Sequence, residues 1–281
     1  MPEFVSAIGR LRNAAVQEEA APSRCATLRE VSCSGTWEEQ TMAECRTVAL
    51  DATPGPLEVD LSATAVLVID MQNDFGAAGG MFDRAGIDIS VVRRAIAPTT
   101  KVISAARTAR LPIIYVKEEH RPDLSDIGAE GSPHWRMCQR MAVGAEVTAP
   151  DGRPSRIHIA GTWNTEILAE LTPEAGDIIV TKRRYSAFYD TELEAHLPTL
   201  GIRYLVITGC TTSICIESTI RDAAFRDYIC VLPVDCTGQP ARSGSSYSGH
   251  EESLKIIERT FGWLSTSECV SNILKGSGAQ P

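Results

Sequence analysis

Cys215 lies in Gly209-Cys-Thr-Thr-Ser-Ile-Cys215-Ile-Glu-Ser-Thr219, directly after the apolar run Tyr204-Leu-Val-Ile-Thr208 and ahead of a helical stretch reaching about Asp227. A strand that turns sharply into a helix leaves the first helical N–H groups without partners and puts positive dipole charge there, a setting that favours a thiolate. Cys215 therefore reads as a nucleophile, against the blander reading of a buried packing cysteine. Two other positions tip that balance. Asp70 closes the run Thr64-Ala-Val-Leu-Val-Ile69, and Lys182 closes Ile178-Ile-Val-Thr181. Ligands of open α/β sheets bind beyond the carboxyl ends of the strands, where all three residues fall.

The elements that must position them follow a repeating pattern. Thr64–Asp70, Leu111–Val116, Ile178–Thr181, Tyr204–Thr208 and Ile229–Asp235 are β-rich apolar runs, as expected of strands buried on both faces of a parallel sheet, and Phe261–Ser265 reads as a last edge strand. Helical spacing predicts helices over Val91–Thr108, from Asp190 to Leu200, from Cys215 towards Asp227 and over His250–Thr260, with a short one from Asn164 to Leu171. Strands alternating with helices imply a doubly wound parallel sheet. Asp74 to Asp83 reads as a flexible loop, Lys117 to Asp123 as a charged strand-end loop, and Leu124 to Arg156 as a long irregular segment suited to a binding element or lid. Residues 1–55, with Asp51-Ala-Thr-Pro-Gly-Pro56 as a linker, read as an N-terminal extension, and 56–281 as one α/β domain.

Composition narrows the function classes. The formal charge is -9 over 281 residues, without the clustered basic residues of a nucleic-acid footprint. No run approaches the roughly 18 apolar residues of a membrane span, and the first ten residues lack the build of a signal peptide, so a cytoplasmic protein is expected. Nine scattered cysteines without a C-x-x-C pair suggest neither a disulfide framework nor a zinc site, and bridges among Cys25, Cys33 and Cys45 would need an oxidising compartment. Neither a G-x-G-x-x-G nor a P-loop motif is present, so nucleotide cofactors are unsupported.

Val-Ile-Asp70-Met-Gln-Asn-Asp-Phe75, Lys182-Arg-Arg-Tyr-Ser-Ala-Phe188 and Gly209 to Ala223, in that order, resemble the isochorismatase-like cysteine hydrolases, from about Pro56 to about Leu274. Gly176-Asp-Ile-Ile-Val180, Leu200-Gly-Ile-Arg-Tyr-Leu-Val206 and Phe261-Gly-Trp263 are most similar to the ureidoacrylate amidohydrolase branch. The resemblance implies a Rossmann-like, six-stranded doubly wound parallel sheet with helices on both faces, commonly in a homo-oligomer. It carries a catalytic triad onto Asp70, Lys182 and Cys215, a cis peptide onto Cys210–Thr211 and an oxyanion hole onto the N–H groups of Thr211 and Cys215. Asp70 would take the thiol proton and return it to the leaving nitrogen, while Lys182 holds Asp70 ionised. Gln72, Phe75, Glu118, Trp163, Tyr185, Phe188 and Gln239 are the expected substrate-binding residues.

No cofactor is expected. Several relatives bind a metal through an Asp and histidines after the second strand, but here that region offers only His120, so no metal is expected either. The implied activity is an amidohydrolase cleaving a non-peptide C–N bond (amide, ureido or lactam) through a thioester, with a small-molecule substrate and water as its only partners. The branch presents a neutral amide residue where Lys117-Glu-Glu119 stands. Two acids there would repel an anionic ureido acid and favour a neutral or cationic amide, such as the lactam of a streptothricin. Ureidoacrylate-type and biuret-type ureido hydrolysis stay open. An isochorismate-type ether hydrolase would not need Cys215, and a non-catalytic binding protein on the same fold would not need the three residues together.

Overall fold

The computed structural model describes residues 46–241 and 249–276. Cys25, Cys33 and Cys45 therefore lie outside the described residues. The strands in chain order are β1 (Thr47–Leu50), β2 (Leu57–Asp60), β3 (Thr64–Ile69), β4 (Ile113–Glu118), β5 (Glu146–Thr148), β6 (Pro154–Arg156), β7 (Ile178–Lys182), β8 (Tyr204–Cys210), β9 (Ile229–Pro233), β10 (Thr237–Gly238) and β11 (Trp263–Ser265). The main sheet runs β11-β9-β8-β3-β4-β7, with the two-residue β10 added alongside β8. Every pairing in it is parallel. The six expected strands are all present, and β10 makes a seventh.

Strand β3 explains why the sheet needs helices on both faces. All of its residues are buried, and they alternate between two cores. Val66 and Val68 pack with the helix Ile96–Thr108 and with Val270 and Leu274 of the helix Ser267–Gly276. Ala65, Leu67 and Ile69 pack on the other side with Leu193, Leu197, Ile220, Ala223 and Leu254, contributed by the helices Leu193–Thr199, Glu217–Ala224 and His250–Ile256. The period of two along the strand thus feeds two layers.

The chain runs from β3 outward through β4 to β7, then returns to the other side of β3 to lay down β8 and β9. The order reverses between β3 and β8, and at such a switch point the loops diverge and open a crevice. Ile69 pairs with Gly209 across this point. The approach is so close that a Cβ on Gly209 would lie 1.9 Å from the Ile69 carbonyl oxygen, and Gly209 also has φ +118°. Only glycine fits there.

Several local expectations change. Strands β4 and β8 extend two residues further than the apolar runs, to Glu118 and Cys210, because sheet pairing continues past the hydrophobic residues. The 74–83 stretch is no open loop: it forms the short helices Asn73–Gly76 and Met81–Arg84, with Asp74 fully buried. The 124–156 segment contains a helix, Pro133–Arg140, started by Ser132 accepting a hydrogen bond from the Trp135 N–H and by proline in its first turn, and the antiparallel pair β5–β6. Residues 51–56 join β1 to β2, an antiparallel pair that places Val48, Leu50 and Val59 in the first core. Among the described residues no helix is long and apolar enough to cross a membrane.

Gly209→Ala should destabilise the protein by about 3 kcal/mol or more, because the added methyl meets backbone that cannot move without parting β3 from β8. Gly176→Ala, at φ +101° with nothing within 4 Å of its Cβ position, should cost only about 1 kcal/mol. Urea unfolding of the two variants tests the contrast.

Candidate active site

Four strand ends converge at the crevice. Asp70 follows β3 in a left-handed conformation (φ +54°), Glu118 ends β4, Lys182 ends β7, and Cys215 lies in the first helical turns after β8. Glu118 and Lys182 are register partners on adjacent strands. Asp70 and Lys182 are fully buried, and Glu118 and Cys215 are nearly so. Lys182 Nζ is 2.9 Å from Asp70 Oδ2 and donates to Glu118 Oε2, to the Arg184 carbonyl at 3.0 Å and to Cys215 Sγ at 3.5 Å. The Cys215 thiol in turn donates to Glu118 Oε2 at 3.6 Å. Asp70, Glu118 and Cys215 each bring an atom within 4.8 Å of the other two.

Electrostatics separates the two carboxyls. Burial pushes Asp70 up to about 6 despite the attraction of Lys182, and neither carboxylate oxygen has an aligned hydrogen bond among the described residues. Glu118 is equally buried, but the charges of Lys182 and His158 hold it well below the usual carboxylate range. Burial also raises the Cys215 thiol well above its ordinary value; Lys182 counteracts this, while Asp70 and Glu118 reinforce it. The free site therefore holds a thiol, where the helix-terminus argument favoured a thiolate. Lys182 stays charged because the carboxylates of Asp70 and Glu118 outweigh its desolvation.

The Cys210–Thr211 peptide bond is cis, and Thr211 is buried beside the turn. Gln72 is buried and brackets β3 to β4: its Nε2 donates to the Glu118 carbonyl at 3.0 Å, and its Oε1 accepts from the Glu118 N–H at 2.8 Å. Phe75 stands edge-on to His158, with ring centroids 5.4 Å apart. The Trp163 carbonyl accepts from Asn73 Nδ2 at 2.8 Å. The Tyr185 ring meets His134 edge-on at 5.5 Å. Phe188 is buried against Tyr228 and lies under the Arg226 guanidinium, and Gln239 Oε1 accepts from the N–H and hydroxyl of Ser213 at the start of the Cys215 helix.

The sequence profile of the isochorismatase domain matches residues 64–269. The chain belongs to the isochorismatase family. It is a hydrolase of carbon–nitrogen bonds within that family's cysteine-hydrolase group. It is 37% identical over 218 residues to the ureidoacrylate amidohydrolase RutB of Methylorubrum extorquens, an alignment covering 78% of this chain and 85% of that one. The RutB of Yersinia enterocolitica is 35% identical over 228 residues, covering 81% and 96%. Among solved structures, a cysteine hydrolase from Pseudomonas syringae pv. phaseolicola superposes with TM-score 0.64 at 25% identity, covering 78% of this chain and 95% of that one. The N-carbamoylsarcosine amidase of Thermoplasma acidophilum gives TM-score 0.53 at 26% identity, covering 73% and 96%.

Behind the four strand ends, this isochorismatase-family chain carries a second buried network that sequence reading missed. Asp74 accepts from the Met81 N–H at 2.9 Å, the His158 N–H at 2.8 Å and the amide of Asn164, and His158 Nδ1 lies 3.1 Å from its Oδ2. His158 Nε2 lies 3.8 Å from Glu118 Oε1. Burial alone would lower the imidazolium, but the hydrogen bond to Asp74 and the negative charges of Asp74 and Glu118 raise it to about 10. Nothing in the periodicity marks Asp74 or His158, because their partners are far away along the chain.

His120 is also less isolated than the sequence indicates. The His158 and His134 rings approach it to 5.7 and 5.4 Å. Glu118, His120 and His158 have the composition of the carboxylate-and-histidine metal sets in the family. They do not fit a metal in this arrangement, because Glu118 is engaged by Lys182 and His158 is an imidazolium held between two carboxylates.

Asp74→Ala would leave a buried imidazolium and three buried N–H donors without their acceptor. It should destabilise the protein by about 3 kcal/mol or more, measured by thermal or urea unfolding.

Proposed function

We propose that the protein is an amidohydrolase of small ureido or amide compounds, working through a covalent thioester on Cys215. The observation that carries this reading is the Lys182 ammonium standing between Asp70 Oδ2 at 2.9 Å and Cys215 Sγ at 3.5 Å. An amide resists hydrolysis because its carbonyl is a weak electrophile and its nitrogen a poor leaving group. Asp70, titrating near 6, is largely ionised at neutral pH yet basic enough to take the Cys215 proton as sulfur attacks the carbonyl carbon. Lys182 stabilises the sulfur while it is negative, and Glu118 holds the thiol in place beforehand. The Thr211 and Cys215 N–H groups receive the oxyanion, a contribution of about 3 kcal/mol in comparable sites. Collapse breaks the C–N bond, the nitrogen takes the proton from Asp70, and water activated by the same carboxylate releases the acyl or carbamoyl group.

Similarity to a ureidoacrylate amidohydrolase and to an N-carbamoylsarcosine amidase supports a ureido group as the preferred substrate. The two acids at the end of β4, Glu118 and Glu119, are no obstacle to an anionic ureido acid. Glu118 is balanced by Lys182 and His158, and Glu119 pairs with Lys117 at 3.0 Å. The case for a cationic lactam, which relied on their free charge, loses its basis.

Cys215→Ala should lower turnover by at least about 10³-fold, and Cys215→Ser should leave at most a trace; either variant working normally would rule out the assignment. Ammonia release should be faster with ureidoacrylate and N-carbamoyl amino acids than with nicotinamide or a streptothricin, and turnover of the streptothricin alone would overturn the substrate class. The kcat/KM profile should fall on the acid side with an apparent pKa of about 6, as protonation of Asp70 removes the base. A profile flat down to pH 4.5 would remove Asp70 from that role.

A further inference from the structure

Arg184 is a half-buried cation beside the cleft without an acid of its own. Its carbonyl accepts from the Lys182 ammonium at 3.0 Å, so its backbone touches the catalytic centre, and its side chain runs from there to the loop that follows β4. Nη1 donates to the carbonyls of Asp126 at 2.8 Å and Arg183 at 2.5 Å. Other partly buried arginines are neutralised: Arg183 by Asp126, Arg107 by Asp177 and Arg221 by Glu217. The Asp126 carboxylate is fully engaged by Arg183, His120 and the Arg121 N–H, and no other acid pairs with Arg184 among the described residues. We propose that Arg184, together with His134, is the subsite that receives the carboxylate of an anionic ureido acid.

Three features carry the proposal. The guanidinium is held in place without being neutralised: both of its hydrogen bonds leave from Nη1 to backbone carbonyls, so the Nε and Nη2 protons stay available as a planar fork for a carboxylate. Secondly, a Cβ on Gly128 would lie 3.1 Å from Arg184 Nη2 and 3.2 Å from Ser132 Oγ, so the guanidinium reaches the cap of the helix Pro133–Arg140 across a single glycine. The positive end of that helix adds to the field of the arginine. Thirdly, His134 in the first turn of the same helix is 7% exposed, yet its Nδ1 has no hydrogen-bond partner among the described residues. Its ring meets Tyr185, just past the strand end that carries Lys182, and its Nε2 lies 3.5 Å from Cys138 Sγ. With the thiol donating to Nε2, the ring proton sits on Nδ1, a donor for an anion. Burial and the charge of Arg184 hold His134 below its ordinary value, so the imidazole is neutral and the arginine supplies the charge.

The substrate class follows from this pairing. A ureido acid would place its carboxylate on Arg184 and His134 and its carbamoyl carbon at Cys215. A neutral urea or a cationic lactam would leave a desolvated guanidinium and a buried N–H unpaired, and sites built around such groups reject ligands that lack the matching partner. Glu118 does not cancel the arginine, because Lys182 and His158 already answer its charge. The inference rests on the ureido-hydrolase reading for turnover, but binding at Arg184 is independent of the chemistry of Cys215.

Calorimetric titration of the Cys215→Ala protein with 3-ureidopropionate and with its neutral carboxamide tests the subsite separately from the reaction. The acid should bind at least about tenfold more tightly than the amide. Adding Arg184→Ala should remove that preference, Arg184→Lys should restore part of it, and His134→Ala should reduce it, with far-ultraviolet circular dichroism confirming that the variants are folded. With Cys215 present, Arg184→Ala should lower the acid-over-amide ratio of kcat/KM by at least about tenfold, mainly through KM for the acid. Equal binding of acid and amide, binding of neither, or a preference that survives Arg184→Ala would overturn the proposal. Equal loss of both ligands in Arg184→Ala would mark a purely structural role and overturn it as well. Tight, Arg184-dependent binding of an acid that the wild-type protein does not hydrolyse would support the subsite and overturn the thioester reading instead.

Discussion

A fully buried ammonium dictates the layout of the cleft. Removing a charge from water costs several kcal/mol even after relaxation, and it is tolerated only where opposite charge and hydrogen bonds replace the solvent. Lys182 meets that demand with Asp70, Glu118, the Arg184 carbonyl and the Cys215 sulfur. Four acceptors around a group with three protons leave one interaction to be redistributed as charge moves. The same crowding separates the carboxyls, with Glu118 held ionised over the whole working range and Asp70 raised to titrate near 6. Two acids with divergent titration can take different roles at one pH.

The parallel sheet makes that convergence possible. Its strands all end on the same side, so residues distant along the chain arrive at one edge without needing long loops to carry them. Continuous burial of β3 and β8 fixes the sheet at its centre, and Gly209 lets the two strands close tightly at the switch point. A cleft built on such ends is stiff, which keeps the sulfur, ammonium and carboxylates within hydrogen-bonding reach before a substrate enters.

Around this centre, charge is balanced in nested pairs. Asp74 and Glu118 hold the imidazolium of His158, Lys117 answers Glu119, and Arg183 answers Asp126. A row of charges that reads as an exposed, repulsive loop is in fact largely neutralised from neighbouring segments. Gln72 shows the same economy: its amide bonds the backbone at the end of β4, and so holds the two strand ends at a fixed separation.

The sequence by itself determined the alternation of apolar strands and amphipathic helices, because burial on two faces imposes a period that any window of ten residues displays. It also determined that Asp70, Lys182 and Cys215 stand at strand ends, since each directly follows or closely trails such a run. Glu118 was legible as a site residue, but its bond to Lys182 was not. The tertiary structure alone decided that Asp74 is buried, that His158 is charged and that His134 and Cys138 join His120, as each of these depends on a partner brought from another segment. Periodicity reports which face of an element meets the core. Ionisation and hydrogen bonding depend on distances between elements, and those exist only once the sheet has closed.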